Sequence, residues 1–250
     1  MQTPLAPLSF FKAIFLAAGS GVLLSLAFPE INLYPLALVA PLLLFLAIYG
    51  QNGKTAFFLG WVQGLWLGVF SLYWLPKVLT VYGALPGWGA NLIFLILVSY
   101  LALYPATFAW LILPLKPSSG KGALLYPLSL AFLWTGLEWL KNYIFTGFNW
   151  TPLSAALGAA PKWLGAADLV GVYGLNFLIS FIPFSVGTYL ILRFGHVKSP
   201  LNPKSLLALV VTPLLVLGFL YGYGSYSYNY WEEKTADYPT HRISLIQASV

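Results

Sequence analysis

A chain of 250 residues that is 60% hydrophobic and only 7% charged is excluded from the ordinary soluble class, whose domains carry roughly 25% charged residues and could not bury this much apolar surface in one core. The formal net charge of +6 does not point to nucleic acid either, because the basic residues stand singly between apolar runs and form no Lys/Arg block. The sequence has no cysteine, hence no disulfide, thiolate metal site or cysteine nucleophile, and its two histidines, His196 and His241, lie far apart, so neither a metal nor a cofactor is expected.

A helix rises about 1.5 Å per residue, so about 20 apolar residues cross a hydrocarbon core about 30 Å thick. On that measure the sequence predicts an all-α polytopic membrane bundle of about seven transmembrane helices, at roughly 9–28, 32–50, 55–76, 89–114, 122–141, 168–193 and 205–225. The first run has Lys12 ahead of a long apolar stretch and no clear small-residue cleavage site, and it reads as a retained span. The breaks between spans carry Pro, Gly or charge, as at Pro29-Glu30 and from Lys77 to Pro86. With the amino terminus in the cytoplasm, Lys12, Lys54, Lys116, Lys121, Arg193, Lys198 and Lys204 fall inside, against Lys77, Lys141 and Lys162 outside. The positive-inside rule favours that orientation, which delivers residues after 225 to the periplasmic or extracellular face.

The most unusual stretch is FLWTGLEWLKNYIFTGFNWTPL, from Phe132 to Leu153. A charge at the bilayer centre costs about 2.5–3.5 kcal/mol on insertion scales, so Glu138 needs a reason to sit in an apolar helix. Lys141 at i+3 could pair with it, both near the outer end of the span. The functional alternative is that Glu138 lines a polar cavity and orients a lipid headgroup or the loop beneath it. The aromatics around Thr146-Gly147 suggest a re-entrant or interfacial loop, with Phe148 and Trp150 able to touch acyl chains; a plain interfacial aromatic belt is the other reading. In GVYGLNFL, Gly171 and Gly174 are expected to allow close helix approach, and Tyr173 to make a buried hydrogen bond or join the belt. Asp168 suits a helix amino terminus. No phosphate loop, HExxH or GxSxG motif occurs.

A polar stretch from Tyr230 to Thr240 leads into HRISLIQASV, where Ile243, Leu245 and Ile246 alternate with small and polar residues as a first β-strand would. The expected organisation is therefore a transmembrane domain over 1–229, then a linker and the first strand of a truncated α/β domain over 230–250. The chain is expected to be the membrane part of a larger protein.

Taken in order, LAFPEINLYPLALVAPLLLFLA, GLWLGVFSLYWL, LALYPATFAWL, EWLKNYIFTGFNW and GVYGLNFL resemble the membrane region of apolipoprotein N-acyltransferases, and HRISLIQASV resembles the opening strand of that family's nitrilase-like domain. The resemblance implies a bacterial inner-membrane protein. It also implies a carbon–nitrogen hydrolase-type domain with a Glu-Lys-Cys triad, whose thiolate takes an acyl chain from a phospholipid donor and passes it to the amino-terminal diacylglyceryl-cysteine of an apolipoprotein acceptor. This sequence departs from the pattern because it has no cysteine, so no catalytic residue carries over and residues 1–250 alone are expected to be inactive. What carries over is Glu138, Phe148 and Trp150 as candidate lipid-binding residues. The alternatives are a membrane anchor for another enzyme, such as a polyprenol-phosphate glycosyltransferase, or a transporter, which would need more intramembrane ionisable groups than Glu138.

Overall fold

The computed structural model describes residues 7–115, 123–194 and 203–239, and every regular element among them is helical. In chain order these are α1 (Phe10–Ala27), α2 (Leu36–Ile48), α3 (Gly53–Ser71), α4 (Leu75–Val81), α5 (Gly87–Leu101), α6 (Leu103–Leu111), α7 (Leu125–Leu140), α8 (Pro161–Leu164), α9 (Ala167–Phe194) and α10 (Pro203–Ala236), with 3-10 turns at Ile144–Thr146 and Leu153–Ala159. Four spans are long and apolar enough to cross a membrane: α1, the joined α5–α6, α9 and α10. A fifth results if α3 and α4, bent by 54° at their junction, are one broken span. Of the remaining expected spans, α2 has 13 helical residues and α7 has 16. The expected strand over 241–250 lies outside the described residues.

Two side-chain bridges define the ends of the bundle. Gln51 Nε2 donates to the Leu8 carbonyl at 2.9 Å, placing the α2–α3 loop beside the start of α1. At the other end Tyr73 donates to Glu30 at 2.7 Å, placing the α3–α4 junction beside the α1–α2 loop.

Lipid tails are as apolar as leucine, so helices in a bilayer associate through close van der Waals packing and hydrogen bonds. The sequence supplies both. On α3, Gly60 and Gly64 recur one turn apart and let its backbone approach α6, where a Cβ at Gly60 would run into the Pro105 carbonyl. Ser20 donates to the Ala40 carbonyl between α1 and α2 at 2.6 Å, and Ser185 to the Leu209 carbonyl between α9 and α10 at 2.9 Å. The interior is aromatic, with Phe108 against Trp134 (5.1 Å) and Phe184 (5.3 Å). Outward, Phe11 and Phe15 are each 76% exposed and Phe132 68%, the pattern of a surface solvated by acyl chains. Gly60→Ala should therefore lower stability by about 1–3 kcal/mol through overpacking, read as a lower thermal midpoint in detergent.

One expectation needs correction, and one helix is longer than its expected span: α10 continues beyond 225 to Ala236. Its Tyr223, Tyr226 and Tyr230 rings follow one another at about 6 Å along one face, and Glu232, Glu233 and Lys234 are competent helix formers. Gly171 and Gly174 do not mediate helix approach: Gly171 has φ 67° at a break inside α9, and a Cβ on Gly174 would meet only the nearby Val170 side chain. The close contact instead joins α8 to α10, where Gly165 lies against the backbone of Gly224.

Candidate functional site

On α7, Trp134, Leu137, Glu138 and Lys141 follow the i, i+3, i+4, i+7 spacing that aligns side chains on one helix face. That face meets Gln63, Gly64 and Leu67 of α3 and Tyr104 and Phe108 of α6 around a small cavity. Gly64 matters here a second time, and Gly68 joins it: a Cβ at Gly64 would meet Ala102 and Pro105, and one at Gly68 would meet the Val98 side chain of α5.

Glu138 and Lys141 form the i, i+3 pair that their spacing allows, with Lys141 Nζ 2.8 Å from Glu138 Oε2 and only 9% and 12% of the Lys and Glu side chains exposed. At the carboxyl end of α7, Lys141 Nζ lies 5.9 Å from the Tyr104 ring. Asn142 closes this end by donating to the Trp139 carbonyl (2.9 Å) and to the Tyr173 hydroxyl, which supplies the hydrogen bond expected for Tyr173.

The loop after α7 is tightly specified. Phe145, Thr146 and Gly147 have φ of 51°, 70° and 86° in succession, and left-handed backbone costs about 1–3 kcal/mol at each non-glycine position. Two hydrogen bonds hold it: the Phe148 N–H donates to the Lys141 carbonyl at 3.0 Å, and the Ser154 N–H donates to Oδ1 of the fully buried Asn176 on α9 at 2.6 Å. Phe145 meets the Tyr100 ring at 5.4 Å while remaining 80% exposed. Phe148 lines the cavity together with Glu138. Trp150 does not line it; it is 61% exposed and packs at the rim against Trp74 (5.1 Å) and Phe148 (6.0 Å).

Sequence reasoning missed two lining residues. Gln63 is 1% exposed with its Oε1 unpartnered, and Trp134 is 6% exposed with its indole N–H unpartnered. The available signal for Gln63 was an amide in the apolar FLGWVQGLWLGVF run, since a buried polar group inside a membrane helix is a functional hypothesis by default. Trp134 gave no comparable signal, because a tryptophan in such a segment reads as packing or belt.

Comparison with known proteins adds an independent line. The family model described as "Apolipoprotein N-acyltransferase N-terminal domain" matches residues 20–185. The chain is 38% identical over 210 residues to an apolipoprotein N-acyltransferase of Geobacter metallireducens, covering 83% of this chain and 39% of that protein. It is 27% identical over 234 residues to one of Vibrio cholerae (94% and 43% covered) and 30% identical over 202 residues to one of Coxiella burnetii (80% and 40% covered). The chain spans about two-fifths of the length of these curated relatives.

Proposed function

Because this chain belongs to the apolipoprotein N-acyltransferase N-terminal domain family, we propose that it is the membrane part of an enzyme that moves a fatty acyl chain from a phospholipid to the amino-terminal diacylglyceryl-cysteine of lipoproteins. The observation that carries the reading is the cavity between α3, α6 and α7, which has a Glu138–Lys141 pair in its wall and Phe148 at the loop above it. An acyl donor needs apolar walls and a polar point that fixes its position, and this cavity is lined by leucines together with the Glu138–Lys141 pair.

In this reading Glu138, Phe148 and Trp150 bind lipid. The carboxylate is held in place by Lys141, Phe148 contacts the acyl chain, and the exposed Trp150 sits where lipid enters from the bilayer. Residues 1–229 form the transmembrane domain, with α2 and α7 crossing alongside the longer helices to give seven spans, and 230–250 lead into a nitrilase-like domain that supplies the Glu-Lys-Cys chemistry. The amino terminus is cytoplasmic and the end of α10 reaches the periplasmic or extracellular side of a bacterial inner membrane.

That orientation is a requirement of the function, because the lipidated acceptor is processed on the outer side. The chain has no native cysteine, so single exposed cysteines report cleanly. Ala236→Cys in intact cells should react with an impermeant maleimide, and Lys54→Cys should react only after the membrane is opened. The reverse pattern would place the carboxyl end in the cytoplasm and overturn the proposal.

A further inference from the structure

The cavity holds two polar groups that the Glu138–Lys141 pair leaves unserved. The Gln63 Oε1 and Trp134 Nε1 atoms are both out of contact with solvent and both lack a hydrogen-bond partner, although the two residues line the same open space. Leaving such a group unpaired costs about 1–3 kcal/mol each, and in a membrane protein no bulk water is at hand to relieve it. A buried amide and a buried indole on residues that line one cavity, from α3 and α7, call for a partner.

Charge decides what kind of group. Glu138 and Lys141 are the ionised residues in the lining, and they neutralise each other at 2.8 Å. A phosphate or carboxylate entering beside them would be a buried charge without a counter-ion, which is disfavoured by several kcal/mol. The Trp134 N–H is a donor only and asks for an acceptor. The Gln63 amide is held by no hydrogen bond among the described residues, so it can turn its NH2 toward the same acceptor. Leucines at 24, 67 and 72 line the same cavity. The matching chemistry is a neutral carbonyl carried on an aliphatic chain.

We infer that Gln63 and Trp134 form a recognition site for the ester carbonyl of a diacyl lipid, fixing how deep the acyl–glyceryl junction sits while any charged headgroup stays at the mouth. This deepens the lipid-binding reading above and rests on it. Both phospholipids and diacylglyceryl peptides carry such esters, so the chemistry is shared and the source is for experiment to assign.

The test is competition against a photoactivatable diester phospholipid bound to residues 1–250 in detergent. Unlabelled diester phosphatidylglycerol is compared with its dialkyl ether analogue, which has the same headgroup and chains but no carbonyl. A diacylglyceryl-cysteine peptide is compared with its dialkyl counterpart in the same way. In the wild type the ester form should compete about three- to tenfold better than the ether form in at least one of the two classes, and the class showing it is the source. Gln63→Leu and Trp134→Phe should each reduce the ratio of ester to ether competition. Phenylalanine keeps the ring packed against Phe108, so Trp134→Phe decides the matter if Gln63→Leu does not fold. Equal competition by ester and ether in the wild type, or a preference that survives both substitutions, would overturn the carbonyl site and leave lipid binding standing. Absence of any specific photolabelling would remove the lipid-binding reading itself.

Discussion

Residues 1–250 incubated with a phospholipid radiolabelled in its acyl chain should bind the lipid yet carry no hydroxylamine-sensitive label after denaturation. A thioester needs a thiolate, and the chain contains no cysteine. A serine or threonine ester would need a general base within hydrogen-bond reach. Thr151 is the Ser/Thr residue in the described lining, and the carboxylate there, Glu138, is engaged with Lys141. Supplying a nitrilase-like domain with its triad, fused after Val250, should turn the same incubation into a labelled acyl-enzyme. A stable acyl adduct on residues 1–250 alone would show that the chemistry belongs to this part of the protein and that the division of labour proposed here is wrong.

How far such a result could be foreseen from sequence varies by feature. Apolar runs near 20 residues announce helices because the bilayer sets their length, and among the described residues four helices, or five with the bent α3–α4 pair, are long and apolar enough to cross. The Glu138–Lys141 pair was legible because i, i+3 neighbours on a helix must be close. The helical course of α10 past Tyr230 was not, since Glu, Lys and Tyr read as polar linker although they tolerate a helix, and the aromatic succession that extends it becomes visible only once the helix is assumed. The contacts of the loop at 145–150 were hidden as well. They are made with Tyr100 and Trp74, residues distant in sequence. The cavity has the same origin: three helices each contribute a few residues, and no one of them shows a site. Gly171 shows the opposite error, a glycine read as a packing contact where the chain used it for its positive φ at a break.

The second large effect concerns the ion pair itself. Lys141→Met should destabilise the bundle by about 3–5 kcal/mol, because it strands the Glu138 carboxylate in a site where little of the side chain reaches solvent. Removing both charges, as Glu138→Leu with Lys141→Met, should recover most of that loss, since a buried pair replaced by well-packed apolar residues is often close to neutral. Thermal unfolding of the single and double variants in detergent measures both quantities, and a double variant no more stable than Lys141→Met would mean that the pair does not account for the loss. Stability alone does not separate a structural pair from one that also organises lipid. In a full-length enzyme carrying these residues, the double variant should therefore be produced in nearly normal amount and yet transfer acyl chains poorly, because the polar point that positions the donor is gone while the fold is kept. The same logic applies to Glu138→Gln, which should lower transfer by more than it lowers abundance. Normal transfer by the folded double variant would reduce the pair to a structural contact and leave lipid positioning to Phe148, Trp150 and the neutral groups deeper in the cavity.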